Sequence, residues 1–152
     1  MEIERKYLVN YLPEDLDTCP HVEIEQGYLC TSPTLRIRRM GDAFILTVKE
    51  KVRSVTSAIV NREEEFALSQ ESYIRLKGKC EGYMVGKTRY RIPVGEYVAE
   101  LDIFHGRHEG LLLVEVEFPS IEAADAFAPP DWFGKDVSED PRYRNSYLSS
   151  IK

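Results

Sequence analysis

The chain has 152 residues, 43% of them hydrophobic and 30% charged, with a formal net charge of −6. That length fits one domain, and the composition supports a packed core rather than a disordered chain. The acidic balance argues against general nucleic-acid binding, which needs a basic face, and no apolar run approaches the ~18 residues that span a bilayer. The opening MEIERKYLVN has no apolar h-region, so no secretory signal is expected. Cys19, Cys30 and Cys80 are odd in number and lack C-x-x-C spacing. They offer neither a disulfide framework nor a cysteine zinc site, and the cytoplasm is the expected compartment.

Period-two alternation in short runs dominates the pattern and predicts strands. In chain order these are Glu2–Val9, Glu23–Leu29, Thr34–Arg39, Ala43–Val48, Asn61–Leu68, Tyr83–Pro93, Tyr97–Phe104 and Leu111–Phe118. Gly41-Asp42, Pro93 to Glu96 and Gly106 to Gly110 supply turns between successive strands. The stretch Glu50–Val60 reads as a mobile loop. Ser69 caps a predicted helix over Gln70–Leu76, with Gly78 beyond its end. A second helix is predicted over Ile121–Ala128, stopped by Pro129-Pro130, and a last short one in the tail after Pro141. Eight strands at hairpin spacing with few helices suggest an antiparallel barrel or sandwich, mainly β with short helices (α+β).

The alternating residues are unusual in sign. Arg36 and Arg38 share a face of the third strand, and Lys87, Arg89 and Arg91 one of the sixth. Glu2, Glu4 and Lys6 share a face of the first, Glu63 and Glu65 of the fifth, Glu100 and Asp102 of the seventh, Glu115 and Glu117 of the eighth. Glu64 leaves two registers open for the fifth strand. Alternation alone equally describes the solvent face of a sandwich. A solvent face, however, normally interleaves the two signs, whereas whole strands here carry one sign, and like charges on one face repel.

If these faces line a closed barrel, seven cations (Lys49 included) meet eight carboxylates, a net of −1. A dry, empty interior of that kind is prohibitive, so it must hold water and ions. Carboxylates are hard ligands for Mg²⁺ or Mn²⁺. Two such ions bring the interior to a net positive charge that suits a polyanion such as a triphosphate gripped by Arg and Lys. Metal-assisted phosphoryl transfer follows. No P-loop, G-x-G-x-x-G or G-x-S-x-G is present. His105 and His108 read as surface loop residues, and Trp132 as packing for the tail.

The opening Glu2-Ile3-Glu4-Arg5-Lys6 is an E-x-E-x-K motif. It is followed by Arg36-Ile37-Arg38, Thr47-Val48-Lys49, Glu63 to Glu65, Lys87-Thr88-Arg89, Asp102, Glu115-Val116-Glu117 and the tail Tyr143-Arg144-Asn145-Ser146-Tyr147-Leu148. This ordered series resembles the CYTH superfamily, the triphosphate tunnel metalloenzymes, over essentially the whole chain. The resemblance implies one domain spanning 1–152, a closed eight-stranded antiparallel β-barrel forming a charged tunnel. It implies Glu2, Glu4, Glu115 and Glu117 as metal ligands, and Lys6, Arg36, Arg38, Lys49, Lys87 and Arg89 as the grip on the triphosphate. Glu63, Glu65 and Asp102 would serve a second metal or the attacking water.

The implied activity is hydrolysis of a triphosphate, inorganic triphosphate first, with Mg²⁺ or Mn²⁺ as two-ion cofactor. The alternatives are a class IV adenylyl cyclase making cyclic AMP from ATP and a non-catalytic polyphosphate- or nucleotide-binding module. A lipocalin-like carrier would need an apolar interior. The expected partner is a small-molecule triphosphate, without nucleic acid or membrane, and a homodimer is left open.

Overall fold

A computed structural model describes residues 2–52 and 58–150. Its strands are β1 (Glu2–Val9), β2 (His21–Thr31), β3 (Thr34–Met40), β4 (Ala43–Lys51), β5 (Ile59–Ala67), β6 (Glu81–Val94), β7 (Tyr97–Phe104), β8 (Leu112–Glu117) and β9 (Phe133–Asp136). They lie in the order β5-β4-β3-β2-β6-β7-β8-β1, and a further pairing of β1 with β5 closes the ring. Every pairing is antiparallel, so the expected eight-stranded barrel is present, with β9 added outside it. β1 makes closure and addition compatible by dividing its free edge. Glu2 to Glu4 pair with β5, while Tyr7 and Val9 pair with β9.

The helices are α1 (Gln70–Lys77), α2 (Ile121–Ala126) and α3 (Asn145–Ser150). Ser69 caps α1 as expected, its hydroxyl accepting from the Ser72 amide. α2 stops at Ala126, two residues short of the expectation, because Phe127 turns extended and its ring enters the aromatic cluster around Tyr7, Phe118 and Phe133. The loop expected over Glu50–Val60 is corrected at both ends. Glu50 and Lys51 continue β4, where they pair with Arg62 and Asn61, and Ile59 and Val60 open β5. Residues 53–57 of that expectation lie outside the described residues. The sequence reading also missed β9.

Two apolar clusters serve different purposes. Tyr7, Leu101, Val114, Val116, Phe118 and Phe133 form the larger one. Tyr7, Leu101, Val114 and Val116 lie on the outer faces of β1, β7 and β8, with Phe118 just past β8, and α2 and β9, which carries Phe133, cover them. Arg5 fastens this cover, donating to Asp136 from Nε and from a terminal nitrogen at 3.0 and 2.6 Å, and to the Ala124 carbonyl at 2.8 Å. The second cluster joins Val85, Phe104 and Leu113 to Val137 and to Leu148 of α3. Val85, Phe104 and Leu113 have the parity of Lys87, Asp102 and Glu115, so at this end the inward faces change from charged to apolar and α3 packs against them. Gly82, at φ +69°, lets β6 approach the Ser149 backbone closely, where any Cβ would collide.

Candidate active site

The cross-strand registers put the charged residues on one inward surface. Lys6 faces Glu115, Lys49 faces Glu63, Arg89 faces Asp102 and Arg91 faces Glu100. Directly opposed residues of neighbouring strands share a face, so these pairings fix parity all round the ring. Glu63 and Glu65 fall inward and Glu64 outward, which settles the open register of the fifth strand. Along the β2–β3 wall the inward residues include Gln26 and Tyr28, opposite Arg38 and Arg36, and Ile24, opposite Met40.

One sector is a cation cluster held most closely by Asp102, with Glu100 a second, longer partner of Arg89 at 3.6 Å. Asp102 is 1% exposed and accepts from Arg89 Nε and from an Arg89 terminal nitrogen at 2.8 and 2.9 Å. Lys87 Nζ lies 2.8 Å from the same carboxylate. Burial pushes Asp102 upward, but Arg89 and Lys87 outweigh it and hold the carboxylate below its usual range. Lys87 is pushed down to about 8, chiefly by burial, with Asp102 only partly compensating. Both oxygens of Asp102 are therefore committed to fixing cations.

The adjoining sector, on β7, β8 and β1, is acidic. Glu4 stands opposite Glu117, and Glu115 opposite Glu100, so like charges face each other across β1, β8 and β7. Glu4 and Glu115 influence each other through charge and a hydrogen bond between their carboxyls. Burial and the negative charge of Glu115 keep Glu4 well above the usual carboxylate range. Burial opposes ionisation of Glu115 too, but Lys6 and Arg89 hold it ionised. Glu2 is raised chiefly by burial, and Lys49 bridges it to Glu63 at 3.0 and 3.3 Å. Glu117 sits exposed at the rim, its carboxyl raised by partial burial and by Glu2.

These oxygens fit a hard divalent cation in donor type. Among the described residues, no three acidic, histidine or cysteine side chains are grouped closely enough to cage a metal unaided. Mg²⁺ commonly takes one or two carboxylates and completes its shell with water and substrate phosphate. Like-charged glutamates facing each other across β1, β8 and β7 are a cation-deficient arrangement of that kind.

The remaining grip residues stand ready for an anion. Arg38 reaches Glu65 at 3.0 Å, and burial followed by repulsion from Arg36 and Arg89 pushes it down to about 10. Lys49 resists burial through its acidic neighbours Glu4, Glu2 and Glu63. Arg36 is 7% exposed and, among the described residues, has no carboxylate partner; its Nε is buried without an acceptor. A cavity of about 680 Å³ opens beside these groups, lined by Glu4, Lys6, Arg36, Lys49, Arg144 and Asn145. The tail thus contributes to the site: Lys6 Nζ donates to the Tyr143 carbonyl at 3.0 Å and Lys87 Nζ to Asn145 at 3.5 Å. His108 does similar docking work, its Nε2 donating to the Leu148 carbonyl at 2.6 Å. His105 binds the Thr88 hydroxyl, away from the tunnel residues.

A closed barrel with basic and acidic walls facing one interior defines the triphosphate tunnel architecture of the CYTH superfamily. No protein-family model matches the chain. It is 41% identical to an inorganic triphosphatase of Nitrosomonas europaea, with 97% of this chain and 96% of that relative covered. It is 33% identical to an inorganic triphosphatase of Acetivibrio thermocellus, over 97% and 92% of the two chains. The fold matches the crystal structure of an inorganic triphosphatase with a TM-score of 0.72 at 37% identity, covering 100% of this chain and 96% of that one. The chain belongs to the inorganic triphosphatase family within the triphosphate tunnel metalloenzymes.

Proposed function

We propose that this protein hydrolyses inorganic triphosphate to phosphate and pyrophosphate inside the barrel, with Mg²⁺ or Mn²⁺. The observation that carries the reading is Arg36, a buried guanidinium without a carboxylate partner among the described residues, beside Arg38 and Lys49. A buried cation is tolerated when something neutralises it, and an anionic ligand supplies what the chain does not. The names of the relatives support inorganic triphosphate as that ligand.

Arg36, Arg38, Lys6, Lys49, Lys87 and Arg89 bind the phosphoryl oxygens and stabilise the charge that gathers on them in the transition state. Glu4 and Glu115, with Glu2 and Glu117, would hold the divalent ions, of which we propose two. The metal supplies charge neutralisation at the phosphates and acidifies water. Asp102 acts by positioning, because its oxygens are committed to Lys87 and Arg89.

Glu63 and Glu65 are the acceptors for the proton of water. In the free protein each is held by a grip cation, Glu63 by Lys49 and Glu65 by Arg38. A triphosphate competing for those cations frees the carboxylates as it binds. Water then attacks a terminal phosphorus, its proton passes to the carboxylate, and the bond to the bridging oxygen breaks to release pyrophosphate.

None of the described helices is long and apolar enough to cross a membrane, and we place the enzyme in the cytoplasm. The test is phosphate release from inorganic triphosphate with Mg²⁺, with Mn²⁺ and with EDTA, in wild type and Arg36→Met. Metal-dependent release that falls at least about tenfold in the variant is expected. Unchanged release in the variant would remove Arg36 from the site, and release in EDTA would refute the metal dependence.

A further inference from the structure

Gln26 lies on the inward face of β2, opposite Arg38 of β3 on one side and Val85 of β6 on the other. It is fully buried, and among the described residues neither its amide nitrogen nor its amide oxygen has a hydrogen-bond partner. Buried polar groups are nearly always satisfied, so an amide orphaned at both atoms calls for a ligand. Its position narrows the choice. Val85 belongs to the apolar cluster that α3 closes, whereas Arg38 belongs to the cationic grip, so Gln26 stands where the charged lining gives way to the plug. The Nε of Arg38, its cross-strand partner, likewise has no acceptor among the described residues. A side chain that only packed against the plug would be better served by an apolar residue.

We infer that Gln26 is a further substrate-binding residue of the tunnel, its amide NH₂ donating to an oxygen of the triphosphate's innermost terminal phosphate. This rests on the triphosphatase reading above. The amide oxygen accepts from a hydrogen-bearing oxygen of the same group, the phosphate hydroxyl or its bound water. Carbonyl and NH₂ together match an end phosphate, which carries both acceptor oxygens and, near neutral pH, an exchangeable proton. Access depends on Arg38. In the free protein Arg38 is drawn to Glu65, a half-exposed partner at 3.0 Å. A triphosphate that draws the guanidinium inward uncovers the amide behind it.

The experiment compares wild type, Gln26→Met and Gln26→Asn by thermal unfolding, by calorimetric titration with inorganic triphosphate in EDTA, and by kcat and KM with Mg²⁺. Methionine fills the same volume without orphaned polar atoms, whereas asparagine keeps an amide but leaves a cavity. Without ligand, Q26M is expected to unfold above wild type and Q26N below it. Triphosphate affinity and kcat/KM are expected in the reverse order for the variants: highest in wild type, lower in Q26N, and at least about tenfold lower in Q26M than in wild type. A purely structural amide cannot reverse the two rankings. Wild-type affinity in Q26M, or Q26M binding as well as or better than Q26N, overturns the inference. A wild-type protein that neither binds nor hydrolyses triphosphate overturns the triphosphatase reading itself.

Discussion

Replacing Asp102 by Asn removes the anion that holds Lys87 and Arg89 most closely in the barrel wall, leaving Arg89 the more distant Glu100 at 3.6 Å. Both cations are buried, at 1% and 7% exposure, and Asp102 is as buried as they are. Losing one member of a buried ion pair typically costs about 3–5 kcal/mol, because the partner charge stays desolvated. For a chain of this length that corresponds to a fall in Tm of roughly 6–20 °C. The contrast is Glu65→Gln, which breaks a pair with a 44%-exposed carboxylate side chain. Solvent screens that pair, so its loss is expected to cost below about 1 kcal/mol. Thermal unfolding in EDTA at pH 7.5 measures both. Inorganic triphosphate is then expected to stabilise D102N more than wild type, since it restores negative charge beside the stranded cations. A D102N protein that melts with wild type, or that gains nothing from triphosphate, would refute the assignment of Asp102 as the counter-ion that positions the grip.

Glu4→Gln removes a carboxyl whose ionisation is opposed by burial and by Glu115, so the metal-free variant is expected to be no less stable than wild type at neutral pH. A carboxyl raised in the folded state loses stability as pH climbs from its unfolded value through its folded one. Metal-free E4Q should therefore show a smaller loss of Tm above pH 5 than wild type, together with no metal-dependent turnover. Turnover at the wild-type rate would reject Glu4 as a ligand. Lys87 loses its charge above about pH 8, so triphosphate affinity should weaken from there upward. The same group should make the ligand-free fold gain stability between about pH 8 and its unfolded pKa, because the unfolded chain binds more protons there; a common direction for both trends would contradict this. Asp136→Asn should cost roughly 1–3 kcal/mol at pH 7 by loosening Arg5 from β9. Asp136 is held low in the fold despite partial burial, by Ser138 and Arg5. Its contribution is thus present above the ordinary Asp value of about 4 and lost as pH falls below it. Equal Tm values for variant and wild type at pH 7 would remove this latch from the account.

The barrel was readable because its inward face carries charge. On β3, β7 and β8 the like-signed pairs alternate with aliphatic residues, on β6 with Thr88 and Tyr90, and parity alone separates tunnel from exterior. β2 breaks that rule. Its charges, Glu23 and Glu25, point outward to Thr88 and to Tyr73 and Lys77, while its inward residues are Val22, Ile24, Gln26 and Tyr28. Charge patterning therefore passed over Gln26; a lone glutamine among aliphatic neighbours is the signal that was available. The closed end was hidden for a related reason. Leu113 and Val114 face opposite sides of β8, yet both are apolar, so the change from lined tunnel to plug leaves no alternation. β9 is four residues long and includes Gly134 and two charges. It is a strand because β1 offers it an edge, a tertiary cause that local propensity does not carry.

The barrel's central claim is that water, not a ribose hydroxyl, attacks the bound triphosphate. Phosphorus NMR of product mixtures tests it most directly, with Mg²⁺ present and with inorganic triphosphate in one tube and ATP in another. Equal amounts of phosphate and pyrophosphate from triphosphate, with no cyclic AMP from ATP, is the predicted result. Cyclic AMP and pyrophosphate from ATP, with triphosphate left intact, would contradict it.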